Sequence, residues 1–427
     1  MADTNHPIAA LHWVAIDVAR YWNAVLVETA SGQRHRFRMT NSAADMQHLI
    51  DFLRGLGGRC RVGLEPTGDY HRPIAHRLLT AGFDVVSISS VAQSRFREAM
   101  FNSWDKNDPK DAAVILEMLK QGRVQRYVDP LLAGHHDIQE LSKTYYQISR
   151  ARTKVQHAII NHHVPLYFPE MHKYWCSTRN EWWVKFMIEF PTPAHVRQHT
   201  CEEFIERASA LVGRRVHRVA KLTEIWETAA DSGALPHDLQ SVAVQTFRFT
   251  LRHYQQLNDL RNQLEQQAQD LLANDADYNN LMSLPGVGPI TALTILAEAG
   301  NLRRFGHHRQ FLKFCGFDLA KSQSGVHRGR EQLSKRGNAR LRLAFWLAAV
   351  VAIRIRENSF REKYDRYVST NPTDPDLKRK ALTAVAAKMA RVAYGMIKKN
   401  QPYRRVFLAR LVRRPRPLPR GRGAAAG

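Results

Sequence analysis

Residues 12–40, HWVAIDVARYWNAVLVETASGQRHRFRMT, decide the fold of the first part of the chain. Three short runs in this stretch are rich in β-branched and aromatic residues, and the tripeptide SGQ stands as a turn before the third run. Short runs of this kind, divided by turn residues, are typical of strands joined by hairpins. The stretch therefore predicts a three-stranded antiparallel meander at the start of the fold.

The hydrophobic period changes after this meander. Residues 43–58, AADMQHLIDFLRGLGG, place Met46, Leu49, Ile50 and Leu53 at helical spacing and end in glycine, which predicts an amphipathic helix. A fourth strand (CRVGLEP), a second helix (PIAHRLLTAGF) and a fifth strand (FDVVSIS) follow. The resulting order, βββαβαβ, is that of the ribonuclease H-like nuclease fold.

The remainder of the chain has helical patterns, so the predicted fold class is α/β followed by all-α. Five residues repeat at intervals of three and four and form a seam that fits either an internal helical hairpin or a coiled-coil dimer interface. They are Leu257, Leu260, Leu264, Ala268 and Leu271. The stretch 165–240 has no readable shape.

These patterns predict four regions. Residues 1–130 form an α/β catalytic domain, 131–277 a helical linker with an insertion, and 278–403 a mostly helical C-terminal domain. Residues 404–427 form an arginine-rich tail whose composition cannot bury a core, so we expect it to be disordered and to seek nucleic acid.

The charge of the chain points to a polyanionic partner. Its 427 residues carry 63 Lys and Arg against 39 Asp and Glu, a formal charge of +24. Nucleic acid is the leading partner for such a chain, although a ribosomal or merely basic protein would share the excess. The longest apolar stretch, residues 343–353, is much shorter than the ~20 residues of a membrane span. Scattered cysteines suggest no disulfide framework, so we expect a soluble, cytoplasmic protein without a membrane partner.

Four acidic residues form the strongest candidate site. Asp17 closes the first predicted strand and Glu65 the fourth, and these strands are neighbours in a ribonuclease H-like sheet. Asp108 and Asp111 lie where the next helix begins, on one face of its first turn. Carboxylates gathered this closely need a cation, and one or two Mg²⁺ ions, or Mn²⁺, suit an all-oxygen site for phosphoryl displacement. Because Asp108-Pro109 is also a good helix start, a capping role stays open.

A second candidate site lies in residues 321–342, KSQSGVHRGREQLSKRGNARLR. On this basic loop a serine can supply an alkoxide nucleophile while arginine and lysine hold the phosphate that it attacks. Ser324, which precedes a glycine, is the first choice, and Ser322 and Ser334 are the alternatives. The residues expected to bind nucleic acid here are Arg328, Arg330, Lys335 and Arg336. A loop of this composition also fits phosphate binding without nucleophilic attack.

A third motif, residues 284–290 (LPGVGPI), places Gly286 and Gly288 between two helical patterns. A Gly-x-Gly turn that joins two helices presents backbone N–H groups to a phosphate, as helix-hairpin-helix DNA-binding motifs do. It fits a plain helix connection equally well, and both interpretations stay open.

At these residues the chain resembles the DEDD transposases of the insertion-sequence-110 family. The similar motifs run in order over most of the chain: AID with Asp17, LEPTG with Glu65, KNDPKDA with Asp108 and Asp111, LPGVGPITA, FCGFDLAKSQSG, LSKRGNARLR and the closing helix KALTAVAAKMARVAYGMIKKNQPY. The resemblance implies an N-terminal RuvC-like domain, a coiled-coil helical linker and a C-terminal transposase domain that holds the serine.

The resemblance also implies a reaction and its partners. A structured non-coding guide RNA, the bridge RNA, pairs with donor and target DNA, so base pairing chooses the sequence. Ser324 attacks a DNA phosphate and forms a phosphoserine link beside Mg²⁺ held by the four acids. The acidic domain of one subunit completes a site with the serine of another, so a homodimer that assembles into a homotetramer is expected. The long helical middle region and the serines on both sides of Gln323 depart from the family pattern.

Two other functions stay open on the sequence alone. A metal-dependent Holliday-junction resolvase would use water and would never bond to DNA. A non-catalytic nucleic-acid-binding scaffold would use the same acids as helix caps and sheet-edge residues, and it would cleave nothing in the presence of Mg²⁺.

Overall fold

The computed structural model describes residues 10–101, 108–177, 181–213, 216–320, 323–324, 327–328 and 332–404. The chain divides into two compact units, Met1–His136 and Asp137–Gly427. The arginine-rich tail lies outside the described residues, except for its first residue, Arg404.

A six-stranded mixed sheet forms the centre of the first unit. Its strands are β1 Leu11–Asp17, β2 Trp22–Glu28, β3 Arg34–Thr40, β4 Arg59–Leu64, β5 Asp84–Ser87 and β6 Gln125–Arg126. Their order across the sheet is β3-β2-β1-β4-β5-β6. Strands β1, β2 and β3 pair antiparallel, and β4 and β5 continue the sheet parallel to β1. The predicted meander and the predicted element order βββαβαβ are both confirmed.

Helices cover both faces of this sheet. They are α1 Ala43–Gly55, α2 His71–Thr80, α3 Ser90–Phe101 and α4 Asp108–Lys120. On one face, apolar residues of β1 and β2 pack against α1 and α2, and the predicted stripe of Met46, Leu49, Ile50 and Leu53 is buried there. On the other face, α4 packs over β1 and brings its own apolar side to the sheet. Helix α4 therefore lies over the face of the sheet that Ala15 and Leu26 share.

The second unit is mostly helical. Its helices before the last third of the chain are α5 His136–Ala158, α6 Val164–Tyr167, α7 Glu181–Glu189, α8 Pro193–Arg197, α9 Cys201–Val212, α10 Val216–Thr228 and α11 Val242–Leu272. The later helices are α12 Ala276–Met282, α13 Pro289–Ala299, α14 His308–Phe314, α15 Ala339–Ala352, α16 Ser359–Val368 and α17 Pro375–Lys399. Short strands β7 Leu319–Ala320, β8 Gln323–Ser324, β9 His327–Arg328 and β10 Gln332–Leu333 lie between α14 and α15.

Two separate hydrophobic cores stabilise the second unit. One is built mainly from α12 to α17, with α13, α15 and α17 at its centre. The other, which we call the inserted core, is built from residues 159–254. Its largest buried side chains include Trp183, Phe186, Phe204 and Phe247. Much of the stretch 165–240, whose shape the sequence did not reveal, therefore belongs to a packed helical core.

Helix α11 joins the two cores. Its first half contributes Phe247 and Tyr254 to the inserted core, whereas Ala268 and Leu272 near its end belong to the C-terminal core. Only part of the predicted seam packs within the chain: Leu257 and Ala268 are buried, but Leu260 and Leu271 are 45% and 52% exposed, so pairing of this helix with another copy stays a prediction. The buried residues of α11 do not form one continuous heptad seam, because the first half of the helix packs into the inserted core and its end packs into the C-terminal core.

No helix within the described ranges is long and apolar enough to cross a lipid bilayer. The apolar run that the sequence offered as the longest lies in α15, which packs through Ala344, Phe345 and Ala348 into the C-terminal core.

Candidate active site

Two of the predicted acids lie side by side at the edge of the sheet. Asp17 is the last residue of β1, and Glu65 directly follows β4. The two strands are parallel, with Ile16 opposite Leu64, so the next residues, Asp17 and Glu65, follow in the same register and on the same face. Asp17 is buried and Glu65 is half-buried. The sheet therefore brings two carboxylates together where its central strands end.

A third acid, Asp111, lies on the helix that covers the same face of the sheet. Side chains alternate along β1, so Asp17 shares the face of Ala15, which is the face that α4 covers. Asp111 lies in the first turn of α4 and is fully buried. Arg97 of α3 donates from Nη1 to Asp111 Oδ1 at 2.5 Å, and this guanidinium offsets the cost of burying the carboxylate. Asp108 begins α4, but its side chain lies outside the described residues.

The donor chemistry of this face suits a hard cation, because every candidate ligand is a carboxylate oxygen. Within the described part of the chain, however, no three His, Cys, Asp or Glu side chains are gathered closely enough to hold a metal ion. Asp108, the fourth predicted ligand, is outside that search. Arg97 is the residue that sequence reasoning missed, since its separation from Asp111 along the chain carries no pattern.

The predicted serine loop contains a β-hairpin. β7 pairs antiparallel with β10, and β8 with β9, so that Ser324 is opposite His327. The sequence predicts a basic loop here and does not reveal the strands, because each strand is only two residues long and too short to show an alternation of apolar and polar residues. Ser322, Arg330 and the side chains of Ser324 and Arg328 lie outside the described residues.

The base of this hairpin is held firmly. Ser334 N–H donates to the Asp318 carbonyl at 2.8 Å, and Asn338 N–H donates to the Phe314 carbonyl at 2.7 Å. Gly337 lies so close to Phe314 that a Cβ atom there would be 2.6 Å from its carbonyl oxygen. Residues at the two ends of the hairpin are thus fixed to each other. Lys335 and Arg336, two of the predicted nucleic-acid-binding residues, are exposed at this base.

Side chains that the sequence did not single out connect the hairpin base to α13 and α5. Asn338 caps α15 by accepting from Leu341 N–H at 2.9 Å and donates from Nδ2 to Glu298 at 2.6 Å. Arg340 forms an ion pair with Glu298 at 2.7 Å and donates to the Ser142 carbonyl at 2.8 Å. The hairpin therefore projects from a base that three helices hold in place.

The Gly-x-Gly turn connects α12 and α13, as predicted for a link between helices. Gly286 has φ +85°, and a Cβ atom there would lie 2.7 Å from the Ala352 backbone nitrogen of α15. Gly288 is the N-cap of α13, with extended backbone and no atom within 4 Å of a built Cβ. Gly286 thus serves close helix packing, which favours the structural interpretation at that position. Phosphate binding at Gly288 stays a prediction.

Comparison with known proteins assigns these two regions to a family. A profile described as "Transposase", for the DEDD transposases of the IS110 type, matches residues 14–169, and a profile described as "Transposase IS116/IS110/IS902 family" matches residues 278–365. The first match contains the three acids of the sheet face, and the second contains the Gly-x-Gly turn and the serine hairpin. Residues 170–277, which include most of the inserted core, lie in neither match.

Individual relatives agree with this assignment. A protein of Pseudomonas aeruginosa named "Probable family 20 transposase" is 28% identical over 144 residues, which are 33% of this chain and 41% of the relative. "Transposase for insertion sequence element IS1111A" of Coxiella burnetii is 28% identical over 140 residues, 33% of this chain and 38% of the relative. The chain thus spans about two fifths of the length of these two relatives.

A third relative is matched over more of its length. "Insertion element IS116 uncharacterized 44.8 kDa protein" of Streptomyces clavuligerus is 23% identical over 375 residues, 82% of this chain and 87% of the relative. Taken together, the two profile matches, the ordered motifs that they contain and these relatives support an IS110-family DEDD transposase.

Proposed function

We propose that this protein is an insertion-sequence transposase that cuts and rejoins DNA strands by divalent-metal-assisted phosphoryl transfer. The observation that carries the proposal is the acidic face of the sheet. Asp17 ends β1, Glu65 directly follows the adjacent parallel strand β4, and Asp111 is buried in the first turn of α4, the helix that packs over β1. The strand order β3-β2-β1-β4-β5, with only the first three strands antiparallel, supports a RuvC-like origin for this unit. The helical linker, the four domain boundaries and the coiled-coil dimer remain part of the proposal.

The four acids Asp17, Glu65, Asp108 and Asp111 would hold Mg²⁺. When bound, the ion supplies positive charge to a phosphoryl group whose oxygens gain charge during displacement. The burial of Asp111 supports this role, because a carboxylate removed from water keeps its charge only beside a compensating cation. Arg97 supplies part of that compensation through the hydrogen bond from its Nη1 to Asp111 Oδ1.

The serine of the hairpin is the proposed nucleophile. Ser324 Oγ attacks a DNA phosphorus, a serine–phosphate bond forms, and the bond from that phosphorus to a deoxyribose oxygen breaks. The serine hydroxyl loses its proton on attack. The leaving deoxyribose oxygen gains one proton and becomes a hydroxyl. The rigid base of the hairpin supports this assignment, since a nucleophile needs an orientation fixed before attack. Arg328, Arg330, Lys335 and Arg336 would hold the phosphate.

The proposed partners follow from the family. A structured non-coding RNA would pair with donor and target DNA, and the protein would assemble as dimers and then a tetramer. The formal charge of +24 supports binding of a long polyanion. The exposed Leu260 and Leu271 of α11 support a contact between copies along this helix.

The test of the reaction uses full-length protein, guide RNA and labelled DNA in Mg²⁺, analysed on a denaturing gel. Asp17→Asn should abolish strand cleavage and leave DNA binding within about threefold of the parent, because one carboxylate contributes little to phosphate affinity. Ser324→Ala should abolish a protein–DNA adduct. Cleavage by Asp17→Asn would contradict the metal site, and cleavage without any adduct in the parent protein would indicate a hydrolytic resolvase instead.

The choice between serines has a matched control in the same experiment. Ser322→Ala and Ser334→Ala should keep the adduct. If Ser322→Ala abolishes it and Ser324→Ala does not, the nucleophile is Ser322.

A further inference from the structure

The turn between β1 and β2 carries an exposed aromatic and arginine surface that the proposed reaction does not use. Tyr21 is 65% exposed and Trp22 is 45% exposed. The guanidinium of Arg20 lies 5.0 Å from the centre of the Tyr21 ring, and that of Arg38 lies 4.6 Å from the centre of the Trp22 ring. We propose that this surface, Arg20, Tyr21, Trp22, Arg36 and Arg38, binds an unpaired single-stranded segment of DNA. We call this surface the platform.

The register of the sheet builds the platform from alternate residues. β2 and β3 pair with Ala24 opposite Arg38 and Leu26 opposite Arg36, so both arginines share the face of Trp22. A shallow cavity of about 440 Å³ lies on this face, and its lining includes Trp22, Leu26, Arg36, Phe37 and Arg38. The surface therefore combines a concave floor with cations at its rim.

The platform lies on the same face as the acids. Asp17 is opposite Ala24, and Ala24 is opposite Arg38, which places Asp17, Ala24 and Arg38 in one row across three strands. With neighbouring strands ~4.8 Å apart, Arg38 begins ~10 Å from Asp17, a separation of one to two nucleotides along an extended strand. A strand held at the platform thus continues directly toward the proposed cleavage site.

The positive charge of the platform favours nucleic acid over protein as its partner. Arg20, Arg36 and Arg38 are all exposed. The bordering carboxylates are already engaged, since Glu28 binds Arg34 and Lys120, and Asp45 accepts from Thr40 at 2.6 Å. Engagement by Lys120 and Arg34 also lowers the pKa of Glu28, which keeps that carboxylate ionised beside its partners. Among the residues that the structure describes, no carboxylate forms a salt bridge with these three arginines, so DNA phosphates can supply the matching charge.

The exposed rings of Tyr21 and Trp22 favour an unpaired strand over a duplex as the ligand. Bases in a duplex already stack on their neighbours, whereas the bases of a single strand are free to stack on aromatic side chains or on a guanidinium. Strand cleavage and exchange require such unpaired segments, so this choice of ligand rests on the proposed function.

The test measures binding of full-length protein to fluorescent DNA by anisotropy, in EDTA so that nothing is cut. The probes are an oligothymidylate of about 20 nucleotides and a mixed-sequence duplex of equal length. Trp22→Ala and Tyr21→Ala should each weaken single-strand binding about five- to a hundredfold, the loss expected for one base stack, and should change duplex binding less than about threefold. Trp22→Phe should retain most of the affinity, because a ring remains.

The matched control is Phe249→Ala, which removes a ring that is 62% exposed on α11. It should leave both affinities unchanged. Arg36→Gln with Arg38→Gln should lower the salt dependence of single-strand binding by about one unit per lost phosphate contact. Circular dichroism melting of every variant confirms that the fold persists.

Several outcomes would overturn the proposal. Equal losses on both probes, or losses no larger than those of Phe249→Ala, exclude stacking of an unpaired strand. An effect confined to a structured RNA hairpin would assign the surface to RNA. A change in mass by sedimentation velocity, without a change in DNA affinity, would assign it to contact between copies. Because the assay needs no catalysis, failure of the proposed cleavage leaves this result intact, and an intact cleavage reaction does not rescue it.

Discussion

At the scale of single residues, Asp111 and Arg97 show how burial and charge are balanced. Asp111 is fully buried, and the Arg97 side chain is only 11% exposed. Arg97 Nη1 lies 2.5 Å from Asp111 Oδ1. A buried ion pair contributes little over an apolar pair, but loss of one partner leaves a desolvated charge. The stability of this turn of α4 therefore depends on keeping both members.

Arg97→Gln should lower the free energy of unfolding by about 3 kcal/mol, because a fully buried carboxylate loses its guanidinium partner. Urea denaturation followed by circular dichroism measures this change. The double variant Arg97→Gln with Asp111→Asn should recover part of the loss, since no charge stays buried. If Arg97→Gln is as stable as the parent, the ion pair contributes nothing to the free energy of unfolding.

The two glycines of the Gly-x-Gly turn should differ although the sequence treats them alike. Gly286→Ala should destabilise the protein by about 2 kcal/mol or more, because φ is +85° and the new Cβ meets the backbone of α15. Gly288→Ala meets no atom within 4 Å and should cost less than about 1 kcal/mol, the usual effect at a helix N-cap. Equal losses in thermal or urea unfolding would contradict this assignment.

At the scale of elements, the inserted core is stabilised by aromatic packing around buried histidines. His195 lies buried at α8, with Nδ1 2.7 Å from Thr192 Oγ1, and burial lowers the pKa of His195 to about 4. Burial also lowers the pKa of His163, whose ring stacks on Phe247 at 5.0 Å. Both imidazoles are therefore held neutral inside the fold.

This predicts acid sensitivity of the inserted core. The pKa of His195 falls from 6.5 in the unfolded chain to about 4 in the fold, so the unfolded state binds more protons between these values. The stability is fully present above pH 6.5 and should fall by roughly 1.4 kcal/mol per pH unit below it, until about pH 4. Urea titrations from pH 7 to 5 test the slope. His195→Gln should reduce it, whereas His253→Gln, an exposed position on α11, should not.

The sheet was predictable from sequence because its pattern is local. The β-branched and aromatic residues of β1 and the helical spacing of Met46 and Leu53 can be recognised within each element. Parallel pairing of β1 and β4 then brings Ile16 opposite Leu64, one residue before the two acids. Two features were not predictable. The serine hairpin rests on backbone pairing of polar residues, and Arg97 reaches Asp111 from a different helix. The division of α11 between two cores was also not predictable, because its repeat of apolar residues does not reveal which core each half packs into.

At the scale of the whole molecule, charge governs how strongly the protein holds nucleic acid. The formal charge of +24 belongs to the whole chain, and eight arginines lie in residues 404–427. If about 6–10 phosphate contacts form, affinity should fall about 10³- to 10⁵-fold between 50 and 200 mM salt. This dependence reports contact number and carries no sequence information.

Truncation after Tyr403 should separate binding from folding. Removal of the arginine-rich tail should reduce the salt dependence of DNA binding, because those side chains are expected to contact phosphates. The melting temperature should stay within about 2 °C, since a composition of this kind buries no core. An unchanged salt slope would exclude the tail from binding, and a large drop in melting temperature would show that it packs on the fold.

The inserted core is built from the segment between the end of α5 and the first half of α11, most of which neither transposase profile matches. Such an excursion can grow or shrink without shifting the register of β1 and β4 or moving the base of the serine hairpin, since lengthening a surface excursion costs little entropy. Residues 232–240 form no helix or strand and alternate between exposed and half-buried positions, so an exposed position such as Pro236 is a natural graft point for a fluorescent or purification module. A module joined there should leave both the acidic face of the sheet and the serine hairpin undisturbed.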